Sequence, residues 1–469
     1  MTADLAIRGG VLVSGSGLTK ADLLISDGRI AEINPPGSPV PASRTIDASG
    51  KFVLPGIIDA HLHPFYADKI DTLSRAAAAG GITTIIPYIG SVKAWGKSGS
   101  GFDVVRNFIE EGEKTSLVDF GIHFSLTRDD MEILDELVPG MVALGVTSFK
   151  AFMAYSRRGM KLEDEHLLRA MRVVAAAGGQ FAVHAENGSV IDFLEDRFTA
   201  EGNVGPEVFP ATHPPLAEAE AVFRILTLAD VAGCPLYLPH ISARESLDVM
   251  RLFKTRGAPE FTAETCTHYL TLTDEEMARR GSLAKMSPPL RKRADVEAVW
   301  DAVAGGLIDV IGSDSAGHFI KNKEPIRDAI FKSPNGIPGS ETMFTVAYDE
   351  GVNKGWVTLP RLVEVTSENP ARIFGLYPRK GVLRPGSDAD VVVFDPGASF
   401  TIGPRSRHLK VDYDMFEGRR CLGAPTHVIQ RGRVLFEHGE LRGEAGRGLY
   451  LPRKKFDSSD INTPERRKA

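Results

Sequence analysis

The spacing of apolar and polar positions changes character twice along the chain. The first fifty residues run as short apolar stretches broken by tight turns, in "DLAIRGGVLVSG", "ADLLISDGRIAEI" and "RTIDASGKFVL". The Asp27-Gly28 pair between two apolar runs predicts a hairpin turn. The same texture returns near the C-terminus in "DADVVVFDP" and "THVIQRGRVLFEHGEL". The two ends therefore read as the halves of one small β-sandwich, residues 1–52 and 378–440, interrupted by a long insertion.

Within the insertion, residues 53–377, the period changes. Short apolar runs ("ITTIIPYI", "FGIHFSL", "VTSFKAF", "QFAVHAE", "PLYLPHIS", "IDVIGSD") alternate with alanine-rich amphipathic segments such as "EHLLRAMRVVAAAGG", "LAEAEAVFRILTLADVAG" and "ADVEAVWDAVAGG". Several of these segments close on Gly, as a helix C-terminus does. Strand followed by helix, repeated over this length, predicts a parallel sheet closed into a (β/α)8 TIM-like barrel. An open doubly wound sheet is the structural alternative, but no glycine-rich dinucleotide fingerprint follows the first strand. Residues 441–469 are polar and basic and are expected to form a tail or an arm onto a neighbouring subunit.

Composition narrows the class. In 469 residues with a net charge of −6 there is no long basic run outside the tail, so neither nucleic acid nor an anionic membrane is expected as a partner. Cys234, Cys266 and Cys421 are too few and scattered for a disulfide framework or a CxxC metal site. No apolar run approaches the ~20 residues that span a bilayer. The start "MTADLAIRGG" lacks the charged and apolar segments of a signal peptide, so a cytoplasmic protein is expected.

The chemistry sits at the ends of the barrel runs. After "VLPGIIDA" come His61 and His63; positions i and i+2 of a strand face the same way, so both imidazoles can reach one ion. Lys150 ends "VTSFK", His184 ends "FAVH", His240 ends "LYLPH" and Asp314 ends "DVIGSD". In a barrel these ends converge on the face where active sites lie. Four histidines and an aspartate exceed the ligand set of one catalytic zinc and suit two divalent ions ~3.5–4 Å apart. Such a pair needs a bridging anion, and the strand ends offer no spare carboxylate. Lys150, among Val146, Phe149, Ala151 and Phe152, supplies one: burial favours the neutral amine, which adds CO₂ to become a carbamate with an oxygen for each metal.

Together these residues resemble the cyclic amidohydrolases of the amidohydrolase superfamily, specifically the dihydropyrimidinase/hydantoinase branch. The resemblance covers nearly the whole chain. "LPGIIDAHLH" is similar to the family's first metal strand and "TSFKAFMAY" to its carboxylated-lysine segment. "VHAEN", "ETCTHYL", "MSPPLR", "PNGIPGSE", "NPARIFGL", "LRPGSDADVVVFDP" and "LYLPRKKF" follow in the family's order. The resemblance implies that His61 and His63 bind the more buried metal, His184 and His240 the other, and that carboxylated Lys150 bridges them. It implies that Asp314 binds the buried ion and carries a proton to the leaving nitrogen. Tyr155 matches the tyrosine that stabilises the oxyanion, and Ser287 and Asn335 match positions whose main-chain groups hold the ring's amide–imide edge. The implied cofactors are two zinc ions, with manganese or cobalt as alternatives. The implied substrate is a dihydropyrimidine or 5-substituted hydantoin opened to an N-carbamoyl amino acid, and the implied assembly is a homotetramer.

Ser315 stands where many relatives carry a histidine, and His318 follows three residues later, with no role fixed for either. Phe65 occupies the place of the arginine by which dihydroorotases hold a carboxylate, so Phe65, with Tyr66 and Trp95, is expected to meet an uncharged or weakly polar ring substituent. Allantoinase and cyclic imidase activities remain alternatives on the same site. A metal-free scaffold of the collapsin-response-mediator type lacks the ligands found here, and a phosphotriesterase-like hydrolase lacks "MSPPLR" and "PNGIPG".

Overall fold

The computed structural model describes residues 2–324, 329–403 and 408–461. Eight parallel strand positions close into a barrel. The chain contributes Ile57–Asp59, Ile82–Ile85 continued by Tyr88–Ile89, Asp119–Phe120 continued by His123–Ser125, Ser148–Phe152, Gln180–His184, Leu236–Leu238, Phe261–Cys266 and Val310–Gly312. Each pairs in parallel with its sequence neighbour, and a parallel bridge from Leu62 to Ser315 joins the last position to the first. These strands are buried on both faces, the condition that a surrounding layer of helices imposes. The predicted helices are Asp164–Ala177, Pro215–Ala232 and Arg293–Ala304; the first two end on left-handed Gly178 and Gly233.

Phe261–Cys266 was absent from the runs picked out by apolar spacing. Its sequence "FTAETC" is half polar, yet every residue in it is buried, with Glu264 reaching His61 and Tyr237 and Thr265 Oγ1 bonding the Ile241 carbonyl.

The termini build the β-sandwich. Val391–Thr401 pairs antiparallel with Phe52–Pro55, which also pairs with Val11–Ser14, in one seven-stranded sheet. A four-stranded sheet packs against it over Leu5, Ile7, Leu23, Ile25, Val53, Val391 and Ile429. Asp27 and Gly28 form the two-residue turn, both at positive φ (51° and 72°), joining Ser26 to Arg29. The chain passes from Phe52–Pro55 to the first barrel strand at Gly56. A Cβ there would lie 2.1 Å from Thr83 Oγ1, so glycine allows the two units to touch.

Up to residue 461 the tail closes on its own barrel. The Phe120 amide donates to the Leu449 carbonyl (3.0 Å), the Leu451 amide to Phe120 (2.8 Å) and the Arg453 amide to Gly145 (3.0 Å). Arg453 is buried beneath the barrel, donating to Ser148 Oγ at 2.7 Å. The tail's last residues, 462–469, lie outside those described. Among the described residues no helix is long and apolar enough to cross a membrane.

Lys380 fastens these parts together. Its Nζ lies 2.6 Å from Asp119 at a barrel strand, and 2.8 Å and 3.0 Å from Asp390 and Asp388 of the β-sandwich. Asp119 also accepts the Leu449 amide of the tail. Burial opposes the charge on Lys380, and the three carboxylates more than reverse it, holding the amine protonated. Replacing Lys380 with Met strands Asp119 and Asp390 without their cation. The expected cost is about 3–5 kcal/mol, read as an earlier urea midpoint. An unchanged midpoint would mean that Arg431, 3.3 Å from Asp119, neutralises the cluster unaided.

Candidate metal centre

The six residues expected at the strand ends meet in one place. His61 Nε2 lies 3.1 Å from Asp314 Oδ1, and His63 Nε2 lies 3.2 Å from the same oxygen. Lys150 Nζ is 3.2 Å from His61 Nε2. His184 Nδ1 and His240 Nε2 face each other at 3.1 Å, and the His61 and His240 rings are 5.3 Å apart. Tyr155, Ser287 and Asn335 line the cavity above this cluster, with Tyr66, Trp95, Phe152, Arg158, Met160 and Met286 among the other walls.

Two of the rings, His61 and His184, are oriented from behind. Glu264 accepts from His61 Nδ1 at 2.6 Å, and its other oxygen accepts from the Tyr237 hydroxyl at 2.7 Å. The His240 amide also donates to Glu264, at 3.2 Å. Glu186 receives His184 Nε2 and the Ser287 hydroxyl, both at 2.8 Å. Asp59 ties the first strand to the last: it accepts from the Ser313 hydroxyl (2.6 Å), the Ser313 amide (3.1 Å), Ser340 (2.9 Å) and the His61 amide (3.2 Å). Burial pushes the Asp59 carboxyl up to about 6. Arg291 of "MSPPLR" braces the turn after His240, bonding Ser242 Oγ and Glu218 at 3.0 Å each.

Strain accompanies this orientation. Tyr155, His240 and Asp314 take left-handed backbone angles (φ 67°, 44° and 45°), a conformation that costs a non-glycine residue of order 1 kcal/mol and gathers at functional sites.

The donor set fits divalent cations. With Nδ1–H of His61 given to Glu264 and Nε2–H of His184 given to Glu186, the other nitrogen of each ring presents a lone pair toward further acceptors. Burial lowers His63 to about 4 and takes His240 well below the ordinary imidazole value, so both are neutral near pH 7. Burial alone would raise the Asp314 carboxyl, but His61 and His63 more than reverse this and keep it ionised. Lone pairs and a carboxylate therefore converge, and His63 Nδ1 is buried with no hydrogen-bond partner. His61, His63 and Asp314 place ligand atoms within 4.8 Å of one another, as do His61, Glu264 and Cys266. Lys150, 1% exposed and 4.1 Å above the Tyr88 ring, is lowered to about 8, burial outweighing the pull of Asp314 and Glu264.

One residue departs from its expected setting, and two with no role assigned from the sequence find one. Phe65 is not on the cavity wall: it is buried behind Trp95, stacked on it at 4.6 Å, so Trp95 and Tyr66 present the aromatic surface. His318 Nε2 donates to the Asn335 carbonyl at 3.1 Å and its ring lies 4.2 Å from Tyr66, which fixes the "PNGIPG" loop. Ser315 accepts the His63 amide through its carbonyl at 2.9 Å. Sequence spacing missed Glu264 because its strand did not read as apolar. The signal for Glu186 was present, two residues past His184 and so on the same side of an extended chain.

The chain matches known proteins along nearly its whole length. The pattern of the Amidohydrolase family covers residues 52–435. A D-hydantoinase of Ralstonia pickettii is 37% identical over 465 residues, 97% of this chain and 99% of that protein. The solved D-hydantoinase of Bacillus sp. AR9 is 34% identical with a TM-score of 0.91, covering 97% of this chain and 100% of its own. The dihydropyrimidinase of Brevibacillus agri NCHU1002 is 33% identical with a TM-score of 0.91, covering 96% and 99%. The chain belongs to the Amidohydrolase family, in the branch of the hydantoinases and dihydropyrimidinases.

Proposed function

We propose that this chain is a metal-dependent cyclic amidase that hydrolyses the ring amide of a dihydropyrimidine or 5-substituted hydantoin to an N-carbamoyl amino acid. The observation that carries this reading is the convergence of His61, His63, Lys150, His184, His240 and Asp314 at one end of a barrel of this family. His61, His63 and Asp314 would hold one divalent ion and His184 and His240 a second, zinc being the expected metal. Lys150, carboxylated by CO₂, would hold both. When bound, the two ions supply an activated water and an electrophile for the ring carbonyl.

The chain's own groups do the rest. Lys150, lowered to about 8, keeps roughly a tenth of its amine neutral at pH 7, the form that reacts with CO₂ and releases a proton. Asp314 accepts a proton from the attacking water and returns it to the ring nitrogen as the C–N bond breaks. Burial, and Glu186 nearby, raise the Tyr155 phenol, so it stays protonated and donates to the carbonyl oxygen as charge develops there. Ser287 and Asn335 would hold the amide–imide edge through main-chain groups. The Asn335 carbonyl already receives His318, but a carbonyl has a second lone pair to offer.

Three buried free thiols fit a reducing cytoplasm. Exposed Phe193, Leu216, Phe223 and Val231 support self-association, for which a homotetramer is our working assembly. The units we propose are a sandwich from the two termini, a barrel between them, and a tail that braces the barrel floor.

Ring opening of dihydrouracil and 5-phenylhydantoin should be detectable by release of the N-carbamoyl product, and should vanish on chelation and return with zinc or manganese. Two bound metals with no turnover of these rings, of allantoin or of cyclic imides would sink the reading. Lys150→Ala should lose activity by at least about 100-fold and recover part of it with added short-chain carboxylic acids. Wild type grown with ¹³C-bicarbonate should show a carbamate carbon resonance; its absence from active, metal-loaded enzyme would remove the bridging role. Glu264→Gln should weaken metal retention by about 10–100-fold in chelator competition. Unchanged retention would reduce Glu264 to a packing residue.

A further inference from the structure

The turn that follows Tyr155 carries two consecutive arginines with opposite fates. Arg157 points away and is neutralised, its guanidinium 2.6 Å from Asp196 and 3.4 Å from Glu195. Arg158 lines the cavity above the metal centre. Among the described residues it makes no side-chain hydrogen bond or ion pair; its guanidinium lies 5.5 Å from the Tyr155 ring centroid. Its charge is felt by Tyr155 and by His318 on opposite sides of the mouth. It is held in place by the one-turn helix Ser156–Arg158, closed by Gly159 at φ 66°, with the Arg158 amide donating to the Tyr155 carbonyl at 3.0 Å.

An exposed arginine on a convex surface needs no partner. This one stands at the rim of a substrate cavity whose nearby walls, Trp95, Tyr66, Met160 and Met286, are aromatic or thioether. Among the described residues the only carboxylate lining the cavity, Asp314, is engaged by His61 and His63. A planar guanidinium with free donors matches a carboxylate in a bidentate fork.

We infer that Arg158 makes the site select cyclic amides whose ring substituent ends in a carboxylate, the arm of the substituent lying along Trp95 and Met160. This rests on the cyclic-amidase reading and revises the expectation of an uncharged substituent drawn from Phe65.

The test compares two rings of the same shape, hydantoin-5-propionate and hydantoin-5-propionamide, with unsubstituted hydantoin as reference. For wild type, kcat/KM should favour the carboxylate by about tenfold or more, and the preference should shrink as ionic strength rises. In Arg158→Gln the ratio should fall to about one, and in Arg158→Glu it should invert. Arg158 is exposed, so unchanged thermal midpoints are expected and would separate a lost contact from a lost fold. Ring opening with no preference in wild type, or a preference that survives Arg158→Gln, overturns the inference and leaves the amidase reading intact. Failure of the metal-loaded wild type to open any of the three rings overturns both.

Discussion

Everything at the catalytic end depends on holding unprotonated nitrogens and a carboxylate against one another at the end of the barrel. Such groups repel unless a cation lies among them, and in water each would turn to solvent. The barrel opposes this by fixing two of the four rings from their far sides: Glu264 behind His61, Glu186 behind His184. Burial then removes the alternative of protonation, since a charged imidazole is disfavoured where His63 and His240 sit. The cost of this arrangement is carried in the strained backbones of Tyr155, His240 and Asp314.

That cost needs a rigid frame. Asp59 links the first and last barrel strands through Ser313, directly beside His61 and Asp314, so the seam of the barrel is also the place where two ligands meet. At the far end, Lys380 and Asp119 join barrel, sandwich and tail, and the tail seals the floor with Leu451 and Arg453. Within the tail, residues 451–454 alternate buried and exposed side chains, the pattern of a strand-like segment laid on a surface.

Legibility in the sequence followed polarity. Wherever a polar residue ended an apolar run it stood out, and His61, His63, Lys150, His184, His240 and Asp314 were all found that way. The Asp27-Gly28 turn was legible because its backbone angles restrict residue choice. Glu264 was hidden inside a run that alternates polar and small residues, and its value lies in a partner 203 positions away, which periodicity does not encode. Phe65 was misplaced because two aromatics in one loop compete for the wall, and only packing decides that Trp95 faces inward with Phe65 behind it. Arg158 was invisible for the opposite reason: beside Arg157 it reads as a solvated charge pair, and only the turn geometry separates the two.

A lysine at the centre of this arrangement has a further consequence. With its amine intact, Lys150 can carry a positive charge facing Asp314 and Glu264, which hold its proton against the burial that drives it off. The proposed carboxylation would replace that charge with a negative one, moving the local balance by two units in the direction that two divalent ions would offset. A glutamate at position 150 would present its negative charge permanently, in a metal-free site already crowded with acceptors, and its shorter arm would not reach as far. On the proposed reading the lysine would give the barrel a charge balance it can fold with and, with CO₂ and metal both bound, a different balance for catalysis. Metal loading and carboxylation would then be one coupled step, because each would supply the charge that makes the other stable.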